Sequence, residues 1–196
     1  MKNLNYFAVY KPYGMISQFT PEIEGDITLR NLYKFPSDVY PIGRLDKDSE
    51  GLLILSNDPK LNSIILNPVN KFNKTYWVQV EGNVDLNFLK NFSKGVQIKL
   101  KDKFYTTKPC EVILLNPAPE TPERIPPIRT RKNIPTSWIE VKLHEGKNRQ
   151  IRKMCAILGY PVLRIIRIAV GKIKIENLQP GEFRKLTKSE IMSGIN

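Results

Sequence analysis

The feature that most limits the fold is a short apolar run at residues 52–56, LLILS, which directly follows a charged segment. Its length is typical of a strand and short for a buried helix. Because apolar and polar side chains do not alternate in it, we predict a strand that is buried on both faces. The chain is therefore predicted to contain a core strand.

The length and composition are sufficient for one core of this kind. The chain has 196 residues, of which 41% are hydrophobic, and this size is usual for a single domain. We therefore predict one domain over residues 1–196. The N-terminal residues lack the apolar segment of a signal peptide, and no run of about eighteen apolar residues occurs, so we expect a soluble, cytoplasmic protein.

The net charge is strongly positive. The chain has 31 Lys and Arg residues against 19 Asp and Glu residues, which gives a formal charge of +12. This surplus favours a polyanionic partner, with nucleic acid first and a membrane surface second. Many basic proteins bind no polyanion, so the charge alone does not identify the partner.

The cysteine and histidine content argues against a metal site. Cys110 and Cys155 lack the spacing of metal ligands, and Cys155 lies on the buried side of a predicted helix. His144 is the only histidine, and neither a catalytic triad nor a metal site can be assembled around it. We predict two core thiols and no bound metal.

The remaining pattern predicts strands with interspersed helices. Residues 75–81 and 137–144 alternate with a period of two, as half-buried antiparallel strands do. Asp58 is the predicted N-cap of a helix whose first residue is Pro59. Residues 48–51 suit a turn that leads into the core strand.

A proline-rich segment lies between the two alternating strands. Residues 116–136 contain six of the 15 prolines of the chain, so this segment is neither a helix nor a central strand. Its cations are Arg124, Arg129, Arg131 and Lys132. We predict a stiff basic loop, and a solvated linker is the alternative.

A second basic feature lies on a predicted helix. Asn148 is the expected N-cap and Gly159 the left-handed C-terminal residue. The apolar stripe comprises Ile151, Met154, Cys155 and Leu158, and the opposite face carries Arg149, Arg152 and Lys153. Cations near a helix N-terminus gain nothing from the helix dipole, which suggests an external or tertiary anion. Solvated surface charge is the alternative.

Four segments, in order along the chain, resemble the motifs of one family. GRLDKDSEGLLILSND at 43–58 resembles the catalytic motif of RNA pseudouridine synthases of the ribosomal small-subunit synthase A type. EGKNRQIRKM at 145–154, followed by LRIIRIAVG, resembles their later basic motif. KPYG at 11–14 and KTYWV at 74–78 stand where that family has its opening and tyrosine motifs. The resemblance covers essentially the whole chain.

Within the family, residues 126–138 look most like the ribosomal large subunit pseudouridine synthase E group. Many relatives begin with a small RNA-binding domain of the ribosomal protein S4 type. Here the opening motif starts too early to leave room for that domain, so none is expected. Many relatives also have His where this chain has Arg149, although the synthase E group resembles this sequence there.

The resemblance implies an α+β fold, with a largely antiparallel mixed sheet, flanking helices and a central basic cleft. It also implies that uridine is converted to its C-glycoside isomer, pseudouridine. This reaction breaks the N1 to C1′ bond, turns the uracil over and rejoins it through C5. The expected substrate is one uridine of 23S large-subunit rRNA. No cofactor, no membrane and no obligate protein partner are implied.

The resemblance also implies roles for particular residues. Asp46 is the catalytic carboxylate, as a nucleophile toward ribose or base or as the base that removes a ribose proton, and these roles stay open. Tyr76 stacks on the uracil, and Arg152 pairs with Asp46. The residues expected to bind substrate and RNA are Arg44, Arg149, Ile151, Lys153, Arg129, Arg131 and Lys132, with Ile151 as a wall of the pocket.

Each assignment has a simpler alternative. Tyr76 could be a core residue in register with its apolar neighbours. An arginine beside an aspartate could be a surface ion pair, and Asp48 and Glu50 are expected to be non-catalytic. For the whole chain, the alternatives are an enzyme for another rRNA or tRNA site and a non-catalytic RNA-binding assembly factor.

Overall fold

The computed structural model describes residues 3–66, 72–129, 131 and 133–194. The chain divides into two compact units. Unit 1 comprises Met1–Phe72 and Ile166–Asn196, and unit 2 comprises Asn73–Ile165. That residues 1–196 form a single domain stays a prediction.

The secondary structure is mixed, with strands in the majority. The strands are β1 (Tyr6–Lys11), β2 (Tyr40–Ile42), β3 (Glu50–Ser56), β4 (Lys74–Glu81), β5 (Gln97–Leu100), β6 (Lys103–Thr106), β7 (Glu111–Leu115), β8 (Thr136–Leu143), β9 (Val162–Val170), β10 (Ile173–Lys174) and β11 (Phe183–Lys185). The α-helices are α1 (Pro59–Leu66), α2 (Leu86–Lys94), α3 (Gln150–Ile157) and α4 (Lys188–Gly194). A 3-10 turn covers Leu29–Asn31.

Unit 1 is centred on β3. β3 pairs antiparallel with β1 and β2, and β1 pairs antiparallel with β11. The first two residues of β3 pair in parallel with Ile166 and Arg167 of β9. All seven residues of β3 are buried, which confirms the predicted strand with two covered faces.

Unit 2 is an antiparallel arrangement of strands with helices. β4 pairs with β8 along its whole length, and β7 pairs with the other edge of β8. β5 and β6 form a separate hairpin. The core of the unit combines alternate residues of β4 and β8 with apolar residues of α2 and α3. Both alternating strands predicted from the sequence are confirmed.

The two units together confirm the predicted α+β class with a mixed, largely antiparallel sheet and flanking helices. The predicted absence of helix and strand is confirmed for residues 116–129, 131 and 133–135, whereas Thr136, the last residue of the predicted loop, begins β8. The basic cleft stays a prediction. No helix in the described residues is both long and apolar enough to span a membrane.

The ends of α1 and α3 show which local sequence signals are sufficient to predict a helix cap. Asp58 caps α1 as predicted, since its Oδ1 accepts the backbone N–H groups of Lys60 (3.0 Å) and Leu61 (3.4 Å). The prediction that Asn148 caps α3 is wrong. The residue before the helix is Arg149, in a left-handed conformation with φ 51° and with no side-chain cap hydrogen bond. Gly159 has the predicted positive φ, 87°.

Candidate active site

Asp46 lies in the connection between β2 and β3, and its backbone is held from both sides. The Ser17 hydroxyl donates to the Leu45 carbonyl (2.8 Å) and accepts the Leu45 N–H (3.0 Å). On the other side, the Gly14 N–H donates to the Lys47 carbonyl (2.8 Å). The segment that follows β1 therefore determines where the Asp46 backbone lies.

The turn beside Asp46 differs from the one predicted. The Ser49 N–H donates to the Asp46 carbonyl (3.0 Å), so the turn covers residues 46–49 and not 48–51. Glu50 and Gly51 already belong to β3, because both pair with β9 and Gly51 also pairs with Lys11 of β1. Asp46 thus opens the turn that leads into the core strand.

An open pocket of about 270 Å³ adjoins Asp46. It is lined by Ile16, Ser17, Glu22, Ile23, Asp26, Arg44, Leu45, Asp46 and Lys47. The exposed Arg44 lies 3.8 Å from Glu22, and Lys47 Nζ lies 2.7 Å from Asp26. The hydrogen bond from Lys47, together with those from the Ile23 and Glu22 N–H groups, lowers the pKa of Asp26. Both cations of this pocket wall therefore have carboxylate partners.

Three charged residues are buried in the strands of unit 1, and none of them is among the site residues expected from the sequence. The exposed fractions of Lys11, Glu50 and Arg167 are 0%, 1% and 4%. Lys11 Nζ donates to the carbonyls of Pro12 (2.9 Å) and Met15 (2.7 Å). Arg167 Nε donates to the Leu52 carbonyl (2.7 Å). The signal in the sequence was a charge inside or at the end of an apolar strand.

Lys11 supports the segment that holds Asp46. Its two hydrogen bonds close the turn between β1 and Gly14, whose N–H reaches Lys47. Burial lowers the pKa of Lys11 to about 7, although nearby Glu50, Asp48 and Asp46 act to raise it. A buried cation and a group of carboxylates therefore lie close together at the start of β3.

Tyr76 lies on β4, in unit 2, opposite Val141 of β8. It is half-buried and packs against the core of the unit, whereas Val78 and Val80 are fully buried. The core contact expected from the alternating pattern is thus present. Stacking of Tyr76 on uracil stays a prediction.

The basic residues of α3 differ in exposure. Ile151 is buried in the core of unit 2, Arg152 and Lys153 are half-buried, and Arg149 is exposed. Arg152 Nη1 donates to the Val162 carbonyl at 3.5 Å. Because Asp46 belongs to unit 1 and Arg152 to unit 2, their pairing stays a prediction.

The basic loop meets the strands of unit 2 at a small pocket. Arg129 and Arg131 line this pocket of about 140 Å³ together with Gln79, Glu81, Ile128, Ile134, Thr136 and Leu163. Arg131 Nη1 lies 3.4 Å from Glu81 Oε1. Lys132, which was predicted with them, lies outside the described residues.

The cysteines form no disulfide. Cys155 is buried, and burial raises its pKa to about 12. Cys110 is half-buried, its pKa is raised to about 11 by burial, and its thiol contacts the Phe92 carbonyl at 3.7 Å. Both thiols are therefore protonated at neutral pH. In the part of the chain that the structure describes, no group of His, Cys, Asp and Glu residues is arranged to hold a metal.

Comparison with known proteins gives concordant matches. A family model described as RNA pseudouridylate synthase matches residues 5–157. Ribosomal large subunit pseudouridine synthase E of Vibrio parahaemolyticus is 43% identical over 186 residues, which cover 95% of this chain and 75% of that protein. The protein of the same name from Xanthomonas campestris is 44% identical over 174 residues, covering 89% of this chain and 91% of the relative.

A solved structure described as a pseudouridylate synthase has a TM-score of 0.79 at 25% identity, covering 99% of this chain and 75% of the other. These matches do not support the narrower small-subunit synthase A type suggested by the motifs.

Proposed function

We propose, since the chain belongs to the family of RNA pseudouridylate synthases, that it isomerises one uridine of 23S large-subunit ribosomal RNA to pseudouridine. The support for ribosomal RNA is the 43% identity over 95% of the chain to a protein named ribosomal large subunit pseudouridine synthase E. The structural observation that carries the proposal is Asp46, a carboxylate whose backbone is held from both sides at the edge of an open pocket.

The reaction needs a base-sized pocket and a well-placed carboxylate. The N1 to C1′ bond breaks, a C5 to C1′ bond forms, C5 loses its proton and N1 gains one. Asp46 acts as a nucleophile toward the ribose or the uracil, or as the base that removes a ribose proton. The isomerisation involves no net oxidation and no net hydrolysis, so the protein's own side chains suffice for it.

Arg152 is proposed to keep Asp46 ionised. Closure over an uncharged uracil removes water from Asp46, which raises a carboxyl pKa, and an adjacent guanidinium opposes that rise. Tyr76 stacks on the base and Ile151 forms part of the pocket wall. Arg44 contacts the displaced nucleotide or its backbone.

The basic surface is proposed to bind the RNA backbone. Removing a uridine from a stacked helix costs a few kcal/mol, and phosphate contacts offset that cost. The cations proposed for these contacts are Arg129, Arg131, Lys132, Arg149 and Lys153. We further propose that the enzyme works in the cytoplasm, on its rRNA and without an obligate protein partner.

The first prediction concerns Asp46. Asp46→Asn keeps the shape of the side chain but removes its charge, so formation of pseudouridine should cease while RNA affinity stays equal or rises slightly through lost repulsion. Release of tritium from rRNA that contains 5-tritiated uridine measures the reaction, since C5 loses its hydrogen. The matched control is Glu111→Ala, which removes an exposed carboxylate paired with Lys142 and should leave turnover unchanged.

Full activity in Asp46→Asn would exclude the proposed mechanism. A wild-type protein that binds rRNA but releases no tritium would instead support the non-catalytic assembly factor. A pseudouridine map of rRNA from cells with and without the protein identifies the modified nucleotide. A change outside large-subunit rRNA would overturn the substrate assignment alone.

A further inference from the structure

Glu145, in the connection between β8 and α3, accepts three hydrogen bonds. Its Oε2 accepts the Tyr105 hydroxyl (2.7 Å). Its Oε1 accepts the Lys108 N–H (2.9 Å) and the side-chain amide of Gln150 (2.8 Å). Lys147 Nζ lies 4.7 Å from the centre of the Tyr105 ring. One carboxylate therefore joins β6, the chain after β6 and the first residue of α3.

Gln150 links Glu145 to the first turn of α3 through hydrogen bonds. The residue is buried, with an exposed fraction of 4%. Its Oε1 accepts the Lys147 N–H (3.0 Å), and its own N–H donates to the Lys147 carbonyl (3.0 Å). Arg149, which has φ 51°, supplies no side-chain cap. The first turn of α3 is therefore held by Gln150 and Glu145 in place of an N-cap side chain.

The hydrogen-bonding states of this group are stable around neutral pH. Burial acts to raise the pKa of Glu145, but the hydrogen bonds from Tyr105, Lys108 and Gln150 and the charge of Lys147 outweigh it, so that the pKa is lowered. The hydrogen bond to Glu145 raises the pKa of Tyr105 to about 12. Glu145 therefore remains an acceptor, and Tyr105 remains a donor.

Arg152 lies on the other side of the same helical turn. At about 100° per residue, it is separated by about 200° from Gln150 around the helix axis. A helix held at Gln150 has a defined rotation about its axis, and that rotation determines where the Arg152 guanidinium can reach. Gln150, which binds the Glu145 carboxylate, and Arg152 therefore leave the helix in nearly opposite directions.

We propose that Glu145 and Tyr105 are positioning residues, which orient the first turn of α3 through Gln150 and thereby place Arg152 for the reaction. This inference rests on the proposed function. It assigns neither residue a contact with RNA. A purely stabilising network would lower the melting temperature and leave the reaction of the folded enzyme unchanged.

The test measures single-turnover rates at saturating enzyme, on the same tritiated rRNA, for Glu145→Ala, Glu145→Gln and Tyr105→Phe. Glu145→Ala should lower the rate constant by about tenfold or more, because small displacements of a reacting group have effects of up to about a hundredfold. Glu145→Gln should regain most of the rate, since its amide retains an oxygen for Lys108 and Gln150 and a donor for the Tyr105 hydroxyl. RNA affinity should stay within about twofold in all three.

The pH profile separates positioning from stability. If the network acts through Arg152 on Asp46, the acid limb of the rate profile should move to higher pH in Glu145→Ala and Tyr105→Phe. Arg152→Met, which removes the guanidinium that is proposed to keep Asp46 ionised, should move it in the same direction. Circular dichroism gives the folded fraction. If Glu145→Ala does not fold, the test uses Tyr105→Phe and Glu145→Gln. Tyr105→Phe keeps the ring that lies under Lys147.

Rates per folded enzyme equal to the wild type, or an acid limb that does not move, would overturn the inference. The same outcome leaves the proposed function intact as long as the wild-type protein releases tritium. If the wild type releases none, the proposed function fails first, and the two failures are therefore distinguishable.

Discussion

The charge state of Lys11 depends on residues that are brought together by the fold of unit 1. Its charge is buried beneath the segment that holds Asp46, and its Nζ is a hydrogen-bond donor to two backbone carbonyls. An isolated buried ammonium group is strongly disfavoured. The neighbouring Glu50 acts in the opposite direction and favours the charged form.

The pH dependence of stability should report this burial. The Lys11 pKa falls from 10.5 to about 7 in the folded protein, so the unfolded chain binds more protons between these pH values. The free energy of unfolding should therefore rise with pH in this window, with a contribution of up to about 1.4 kcal/mol per pH unit. Lys11→Met removes the titrating group and should flatten the rise.

Urea unfolding at pH 7, 8 and 9 measures the slope. Lys90→Met, at an exposed position of α2, is the control and should keep the wild-type slope. Lys11→Met also leaves the Pro12 and Met15 carbonyls without their donor. This loss changes the free energy of unfolding by a constant amount and does not change its slope against pH. An unaltered slope in Lys11→Met would show that Lys11 does not titrate as described.

Sequence signals from near neighbours predicted the role of some residues correctly and of others wrongly. Asp58 was predicted correctly as a cap because its partners are two and three residues away. Asn148 was predicted wrongly because Gln150 and Glu145 hold the first turn of α3 in place of an N-cap side chain, and Glu145 in turn accepts a hydrogen bond from Tyr105, 40 residues away. The burial of Lys11 and Glu50 was missed, since it arises from strands that are distant in sequence. The catalytic role of Asp46 rests on the resemblance to a family and stays a prediction.

At the scale of elements, the parallel contact between β3 and β9 determines how the core strand begins. Gly51 pairs with Arg167 and has φ 105°. A β-carbon at this position would meet the Arg167 carbonyl oxygen and lie 2.6 Å from its amide nitrogen. Both neighbouring atoms belong to the backbone, so they cannot move aside as a side chain does. The close approach of the two strands therefore requires glycine.

Gly51→Ala should be strongly destabilising. Positive φ and a clash with the backbone of β9 together should lower the free energy of unfolding by about 3 kcal/mol or more. Gly146→Ala is the matched control, because nothing lies within 4 Å of the added carbon there, and its effect should stay within about 0.5 kcal/mol. Urea unfolding of the two variants checks this, and equal stabilities would contradict the described pairing.

Element types were predictable where the pattern was regular. The two period-two segments became β4 and β8, and the apolar run became β3. The turn before β3 was placed two residues too late, because Glu50 and Gly51 pair with β9, more than a hundred residues further along the chain, and Gly51 also pairs with Lys11 of β1. Hydrophobic periodicity contains no information about a partner strand at that distance.

At the scale of the whole molecule, the net charge of +12 can act on RNA in two ways, at long range and through direct contacts between cations and phosphates. Arg129 lines a pocket beside β4 and β8, and Arg131 lies near Glu81 in the same place. Total charge acts at long range and is screened by salt, whereas direct contacts release counterions in proportion to their number. The two contributions can be separated by experiment.

Replacing Arg129, Arg131 and Lys132 with alanine should flatten the salt dependence of RNA affinity. Each phosphate contact contributes about 0.7 to 0.9 to the slope of log affinity against log salt concentration. The control removes the same charge elsewhere, by replacing the exposed Lys99, Lys101 and Lys103 of the β5–β6 hairpin, and should leave the slope unchanged. Filter binding across a salt series gives both slopes, and parallel lines for the loop variant and the wild type would rule out the loop as a contact.

Unit 1 consists of two segments of the chain that are separated by unit 2. This arrangement limits the order in which the two units can fold during synthesis. β1, β2 and β3 leave the ribosome before unit 2, but the strand that pairs in parallel with β3 begins only after most of unit 2 has been synthesised. Unit 2 is contiguous, so β4, β7 and β8 can pair with one another as soon as Ile165 has emerged. The N-terminal strands therefore wait with an open edge, which is the state most prone to association with other chains. Chaperone contacts with the nascent protein should concentrate there.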